Sequence, residues 1–307
     1  MRRKITVVFP ASSANLGAGY DVFALALQAP TDMLTLQTTD KGVRLDVNGL
    51  QLETPSRRNA VSGVVKAIMK GEGIRIGVTL LLRKGVPVGV GLGSSAASSA
   101  AAAVGMNAIF DLGMDERKLI GYAGVGEKIS SGTAHYDNVA AAIVGGFVTV
   151  SGNRGLIRVS VPSGMALCLT TPEVSLPRRK TKYARSLVPK RLPLEEVVET
   201  VSSATMMIHG FSTGNLVEIG RSMQGGFVDT RRAAMIPGFY EVRESAVKAG
   251  AFGACISGAG PTLLAATTGK RAKEVLRAMI HGFRSVGIQS HGFITAPGGG
   301  CRIIEET

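Results

Sequence analysis

The clearest chemical signal in the chain is a glycine-serine loop that runs straight into an alanine-rich helix: Pro87, Val88, Gly89, Val90, Gly91, Leu92, Gly93, Ser94, Ser95, Ala96 and Ala97. Alternate glycines let the backbone approach a ligand closely and adopt positive φ. The serines fall where a starting helix presents unpaired N–H groups and the positive end of its dipole, which together make a site for polyphosphate. No lysine follows the last glycine, so this is not a Walker A loop, and the glycines are not spaced as in a dinucleotide fold. The helix expected next, from about Ser95 to Phe110, carries no charge before Asp111. It should lie buried against a sheet and hold its N-terminus still.

Other segments have chemistry to offer. PASSANLGAGYD, residues 10–21, gathers Ser12, Ser13, Asn15 and Asp21 around two glycines directly after a strand. Such a loop sets amide and carboxylate groups against a small polar ligand, or it is a capped turn. GTAHYDNVAAAIVGGF, residues 132–147, puts His135, Asp137 and Asn138 at the entry of an apolar helix. Glu127, shortly before, is the carboxylate best suited to a magnesium ion, because ATP brings most of the other oxygen ligands and a loop serine adds one. Its alternative is an exposed helix end. GACISGAGPTLLAA, residues 253–266, is a second glycine loop, able to bring N–H groups near an anion or to make an ordinary turn.

The elements that must position these groups alternate through the first half. Residues 4–9, 32–38, 42–47 and 74–82 read as strands, and 59–70 as a helix with Val61, Val64, Val65 and Ile68 at helical spacing. A helix at 116–126 and strands at 146–150 and 156–161 complete that half. The second opens with a strand at 165–170 and a basic loop. Helices at 194–209, 238–249 and 270–285 follow, with strands at Cys255, 262–266 and 288–294. A chain of 307 residues is long for one core, and the division falls at 1–163 and 164–307.

Composition narrows the class. Three widely separated cysteines, odd in number and without a Cys-x-x-Cys pair, argue for a reducing compartment and against zinc. The apolar run after Arg2, Arg3 and Lys4 is short and ends at Pro10, so it reads as a first strand rather than a leader. No run is long enough to span a bilayer. The reading is a cytoplasmic protein with no membrane partner. The net charge is +13, and its densest cluster, 178–191, holds seven basic residues, no acidic one and the single aromatic Tyr183. That lacks the stacking platform of single-strand binders and argues against nucleic acid as the main partner. The remaining excess is scattered, as at Arg57-Arg58 and Arg231-Arg232.

PASSANLGAGYD, PVGVGLGSSAA and SGAGPT stand in the order of the three signatures of the GHMP kinases, and the resemblance spans Lys4 to about Ala266. Within that family the chain is most similar to the homoserine kinases, through PASSANLG with Asp21, HYDNVA at 135–140 and TKYAR at 181–185. The resemblance implies an α/β (α+β two-domain) GHMP kinase fold, with a ribosomal-protein-S5-like N-terminal ATP-binding domain containing a left-handed crossover and a ferredoxin-like C-terminal domain. It implies an ATP-dependent kinase with the phosphates on residues 87–97, the adenine near Asn59, Lys84 close to the nucleotide, and Mg2+ held by Ser95 and Glu127. L-Homoserine would be bound by Asn15, Asp21, His135, Asn138 and Thr181, with Arg185 and Arg232 pairing its carboxylate. The product would be O-phospho-L-homoserine, on the route to threonine, and the family admits a homodimer.

Two roles stay open. Asp21 acts as general base, or Asn138 positions the hydroxyl without one. Arg232 is preferred to Arg231 by its spacing to Ile236-Pro237. Ala18, Tyr20 and Ala141 stand where homoserine kinases usually carry Pro, Phe and Pro. The rival readings are a family kinase acting on mevalonate, shikimate or a sugar, substrates that lack an ammonium group, and a non-catalytic nucleic-acid-binding protein with no need to keep Ser95 and Glu127.

Overall fold

A long hairpin organises the first half of the chain. Strand β1 (Lys4–Asn15) pairs antiparallel with β2 (Gly19–Thr39). The computed structural model describes residues 3–48, 59–132, 135–152 and 155–306. Around the hairpin lie β3 (Val43–Asn48), β4 (Gly77–Arg83), β5 (Phe147–Val150), β6 (Leu156–Val159) and, from the far end of the chain, β11 (Arg302–Glu306). Their order is β11-β1-β2-β4-β3, with β5 on β2 and β6 on β5. Helices α1 (Ala60–Gly71), α2 (Ser94–Ile109), α3 (Glu116–Ser131) and α4 (Tyr136–Val144) pack with this sheet, α2 at their centre against β1, β2 and the other three. Its side chains are mostly small and nowhere charged, as a helix surrounded on all sides requires.

Residues 32–38 of β2 alternate buried and partly exposed, as a strand with one covered face must. Residues 23–27, FALAL, are buried without alternation, because a second layer covers their other face. That layer is an antiparallel sheet of β7 (Met165–Pro172), β8 (Gly253–Ile256), β9 (Leu263–Thr268) and β10 (Ser290–Thr295), ordered β10-β7-β9-β8. Its helices α9 (Phe239–Lys248) and α10 (Ala272–Ser285) complete a ferredoxin-like β-α-β-β-α-β unit. Between β7 and β8 come α5 (Lys180–Ser186), α6 (Leu194–Thr213), α7 (Leu216–Met223) and α8 (Phe227–Arg232). One buried cluster joins the layers: Leu25 and Phe147 from the first sheet meet Leu167 and Leu264 from the second and Phe211 of α6, with the Phe147 and Phe211 rings stacked 4.0 Å apart.

Several expectations are corrected. Residues 10–21 are a hairpin rather than a loop, because β1 runs to Asn15 and only a tight turn separates it from β2. The basic loop contains a helix, α5, and α7 and α8 were not expected. The last strand crosses back to pair with β1, so residues 302–306 hydrogen-bond into the first sheet although they fall in the 164–307 part of the chain. Arg57, Arg58 and residues 133–134, just before the HYDNVA segment, lie outside the described residues.

Candidate active site

Helix α2 begins without a side-chain cap. Its N-cap is Gly93, at φ 66°, and no acidic residue stands in its first turn, whereas α1, α3 and α7 are capped by Asn59, Asp115 and Asn215. The first N–H groups of α2 are therefore left to a ligand, and an anion suits them best. The loop before it is held from both layers. Ser12 N donates to Leu92 O at 3.1 Å, Thr262 N to Val90 O at 3.3 Å, and Ser257 Oγ to Gly91 O at 2.9 Å. A Cβ on Gly91 would lie 2.3 Å from Ser257 O, and one on Gly93 would lie 2.3 Å from Ser12 Oγ and 2.9 Å from Asn138 Oδ1. Only glycine fits where the two glycine loops and the hairpin meet.

Lys84 departs from expectation. It is 2% exposed and ion-paired with fully buried Asp32, and it donates to Ser94 O and Ser98 Oγ, each at 3.2 Å. Every direction its ammonium can serve is taken inside the protein, so it braces α2 from beneath rather than facing a nucleotide. Asn59 uses Oδ1 to accept from Val61 N at 2.8 Å, and the start of α1 lies against α3, where a Cβ on Gly126 would be 3.0 Å from Ala60 O.

The residues expected to hold magnesium come together beside the start of α2. Ser95 Oγ donates to Ser130 Oγ at 2.6 Å, and Ser130 Oγ lies 3.1 Å from Glu127 O and 3.5 Å from its Oε1. Glu127 is 7% exposed, and burial pushes its carboxyl above the ordinary value. Among the described residues no group of three or more His, Cys, Asp or Glu is placed so that it could hold a metal ion by itself. One carboxylate with neighbouring hydroxyls is a hard, oxygen-only donor set that suits Mg2+ shared with phosphate oxygens. Ser130 was missed; a serine near a helix end carries no signal of its own.

Across the loop, Arg185 Nη2 donates to Asp21 Oδ1 and Oδ2 at 3.1 and 2.9 Å and lies 3.2 Å from His135 Nδ1. Burial would raise the Asp21 carboxyl, but hydrogen bonding to His135 and the Arg185 charge outweigh it and hold it below the usual range. His135 is raised, chiefly by its bond to Asp21. A cavity of about 200 Å³ is lined by Asp21, His135, Asp137 and Arg185. A larger cleft of about 630 Å³, along residues 158–165 and 296–299, contains none of these groups.

Arg232 is 4% exposed and donates from Nε to Ala184 O at 3.1 Å and from Nη1 to Gly258 O at 2.9 Å. Arg231 instead turns to Glu196, at 2.9 and 3.2 Å. Tyr20 links the two site arginines, with Arg232 Cζ 5.2 Å and Arg185 Cζ 5.8 Å from its ring centre, a cation–π arrangement. Asn15 spends both ends of its amide within the protein, accepting from Asp21 N at 3.1 Å and donating to Gly258 O at 2.8 Å. It shapes the hairpin. Asn138 sits at the start of α4, its Oδ1 accepting from Ser12 Oγ at 2.8 Å. Asp137 Oδ1 accepts from Asn138 N at 2.7 Å, and burial pushes its carboxyl up to about 6. Thr181 is half-buried on α5, and its hydroxyl bonds to no described residue.

The family model for the GHMP kinases N terminal domain matches residues 59–146, and that for the GHMP kinases C terminal matches 207–284. The homoserine kinase of Haloarcula marismortui is 38% identical over 302 residues, 97% of this chain and 99% of that protein. The chain is a GHMP kinase, and within that family it is most like the homoserine kinases. A crystal structure of homoserine kinase from Cytophaga hutchinsonii superposes on the kinase with a TM-score of 0.90 at 33% identity, covering 98% of this chain and 97% of that one. L. major mevalonate kinase, at 12% identity and a TM-score of 0.71 over 95% of this chain and 96% of its own, shares the fold alone. As a family member the chain is an ATP-dependent small-molecule kinase. No described helix of the kinase is long and apolar enough to cross a membrane.

Proposed function

We propose that this kinase transfers the γ-phosphate of ATP to the hydroxyl of L-homoserine, giving O-phospho-L-homoserine. The observation that carries the substrate is the charge arrangement beside the open helix end. One carboxylate, Asp21, and two guanidinium groups, Arg185 and Arg232, flank Tyr20. An amino acid needs both signs of charge, while mevalonate, shikimate and sugars have no ammonium for Asp21. The full-length likeness to homoserine kinases supports the same reading.

The ATP phosphates rest on the N–H groups of α2 and on the loop 87–93, with the adenine toward Asn59. Ser95 and Glu127 would hold Mg2+, which neutralises phosphate charge when bound. The substrate's ammonium takes Asp21, and its carboxylate takes Arg185 and the free Nη2 side of Arg232, with His135 lining the same cavity and Thr181 one turn before Arg185 on α5. Asp21 is a weak base in the free enzyme, because His135 and Arg185 hold its carboxyl low. In a loose phosphoryl-transfer transition state the nucleophile gains little charge before bond formation, so Asn138, beside Gly93, orients the hydroxyl and no strong base is required. The three cysteines are free, which supports a cytoplasmic location.

A panel of hydroxyl acceptors tests the assignment. With ATP and magnesium, L-homoserine should be phosphorylated far faster than mevalonate, shikimate or galactose. Faster transfer to any of those three would overturn it.

A further inference from the structure

The phosphate loop has no lysine, and Lys84, which the family resemblance implies near the nucleotide, is sealed inside the protein. An ammonium reaches the same place from the other half of the chain. We propose that Lys180, at the start of α5, is a further catalytic residue, contacting the transferring phosphoryl group of ATP. The proposal rests on the kinase reading above and adds a residue to it.

Lys180 Nζ donates to the carbonyl of Gly260. That residue lies against the phosphate loop, since a Cβ on Gly91 would sit 2.9 Å from Gly260 O and 3.1 Å from Gly260 N. Two cations thus seize the second glycine loop, Lys180 at Gly260 and Arg232 at Gly258, and that loop bears directly on Gly91. Among the described residues Lys180 has no carboxylate partner, and the charge that acts on it is the like-signed Arg232. A largely buried ammonium beside a guanidinium is costly unless an anion joins them. Burial, and then Arg232, push its pKa down to about 8. The ionisable groups that face Arg232 in turn are Tyr20 and Asp21 of β2, Asp229 of α8 and Arg185 of α5, and the carboxylates among them are turned to Ile256 N and to Arg185.

In phosphoryl transfer, charge spreads over the equatorial oxygens of the moving group, and a positioned cation stabilises it there. Lys180 gives this family member from the second layer what a P-loop lysine gives from within the loop. Nothing in the sequence singles it out, because it stands inside a run of basic residues.

Lys180→Met and Lys180→Arg test the assignment, with steady-state kinetics and the binding of ADP and of a non-hydrolysable ATP analogue. Lys180→Met should lower kcat about 100-fold or more. It should weaken the triphosphate analogue but leave ADP and the KM for L-homoserine within about twofold. In the natural enzyme kcat/KM for ATP should fall as pH rises through about 8. Lys180→Arg should keep most of kcat and lose that alkaline limb, since a guanidinium stays charged, while any limb from His135 persists in both. Natural kcat in Lys180→Met, equal weakening of ADP and the triphosphate analogue, or an unchanged alkaline limb in Lys180→Arg would each overturn the proposal. Should Lys180→Met fail to fold, the arginine variant's pH profile decides alone. If the natural enzyme ignores L-homoserine, the substrate assignment falls, yet the comparison of ADP with the triphosphate analogue still judges Lys180.

Discussion

Arg185 holds both oxygens of Asp21 through a single nitrogen, at 3.1 and 2.9 Å, in the cavity that His135 and Asp137 also line. The two charges of an amino acid match this pair reversed: ammonium for Asp21, carboxylate for Arg185. Substrate binding therefore replaces one ion pair by two. Arg185→Leu should weaken L-homoserine by about 2 kcal/mol, the scale of a hydrogen bond to a charged group. ATP affinity should barely change. Calorimetric titration with each ligand checks this, and an equal loss for both would remove Arg185 from the substrate clamp.

Glu127→Gln keeps the size of a buried side chain while removing its charge. Turnover should fall by roughly 100-fold, as when a positioned electrostatic group is lost, and raised magnesium should restore part of it. Natural turnover at low magnesium would show that Glu127 holds no metal.

Lys84 and Asp32 form a buried ion pair, 2% and 0% exposed, and Asp32 Oδ1 also accepts from Gly85 N and Val86 N at 2.6 Å. Lys84→Met strands that carboxylate in the interior. Urea unfolding should show a loss of about 3 kcal/mol, with nucleotide affinity of the folded fraction nearly intact. Full stability with lost nucleotide binding would return Lys84 to the nucleotide site.

How much of this was legible in the sequence depended on whether a signal was local. The phosphate loop and α2 were plain, because glycine spacing and an uncharged alanine helix are short-range features. Strand β2 was visible only at 32–38, where one covered face imposes alternation; FALAL at 23–27 is covered on both faces and has no period to read. Helices α7 and α8 are only 8 and 6 residues long, too short for periodicity. The partner of β11 lies near the other end of the chain. At the site, residue type was informative and side-chain direction was not. Asn15 and Lys84 have binding chemistry but turn it inward, whereas Tyr20, a departure from the family pattern, joins Arg185 and Arg232.

Asp229 links stability to pH. It is buried on α8, accepts from Ile256 N at 2.8 Å, and burial pushes its carboxyl up to about 6. An unfolded aspartate titrates near 3.9, so between about pH 4 and 6 the folded state binds the extra proton and stability falls as pH rises. The contribution is at most about 3 kcal/mol, and Asp137 acts in the same direction. Asp229→Asn should flatten this slope in unfolding measured across that range. An unchanged slope would show that Asp229 is ionised in the folded protein throughout.

The most direct test of the central claim is ADP release at saturating ATP and magnesium, with and without L-homoserine, with the phosphorylated product counted in parallel. ADP should form many times faster with L-homoserine present, and each ADP should match one O-phospho-L-homoserine. Folded protein that binds ATP but releases ADP no faster with L-homoserine than without it would contradict the account.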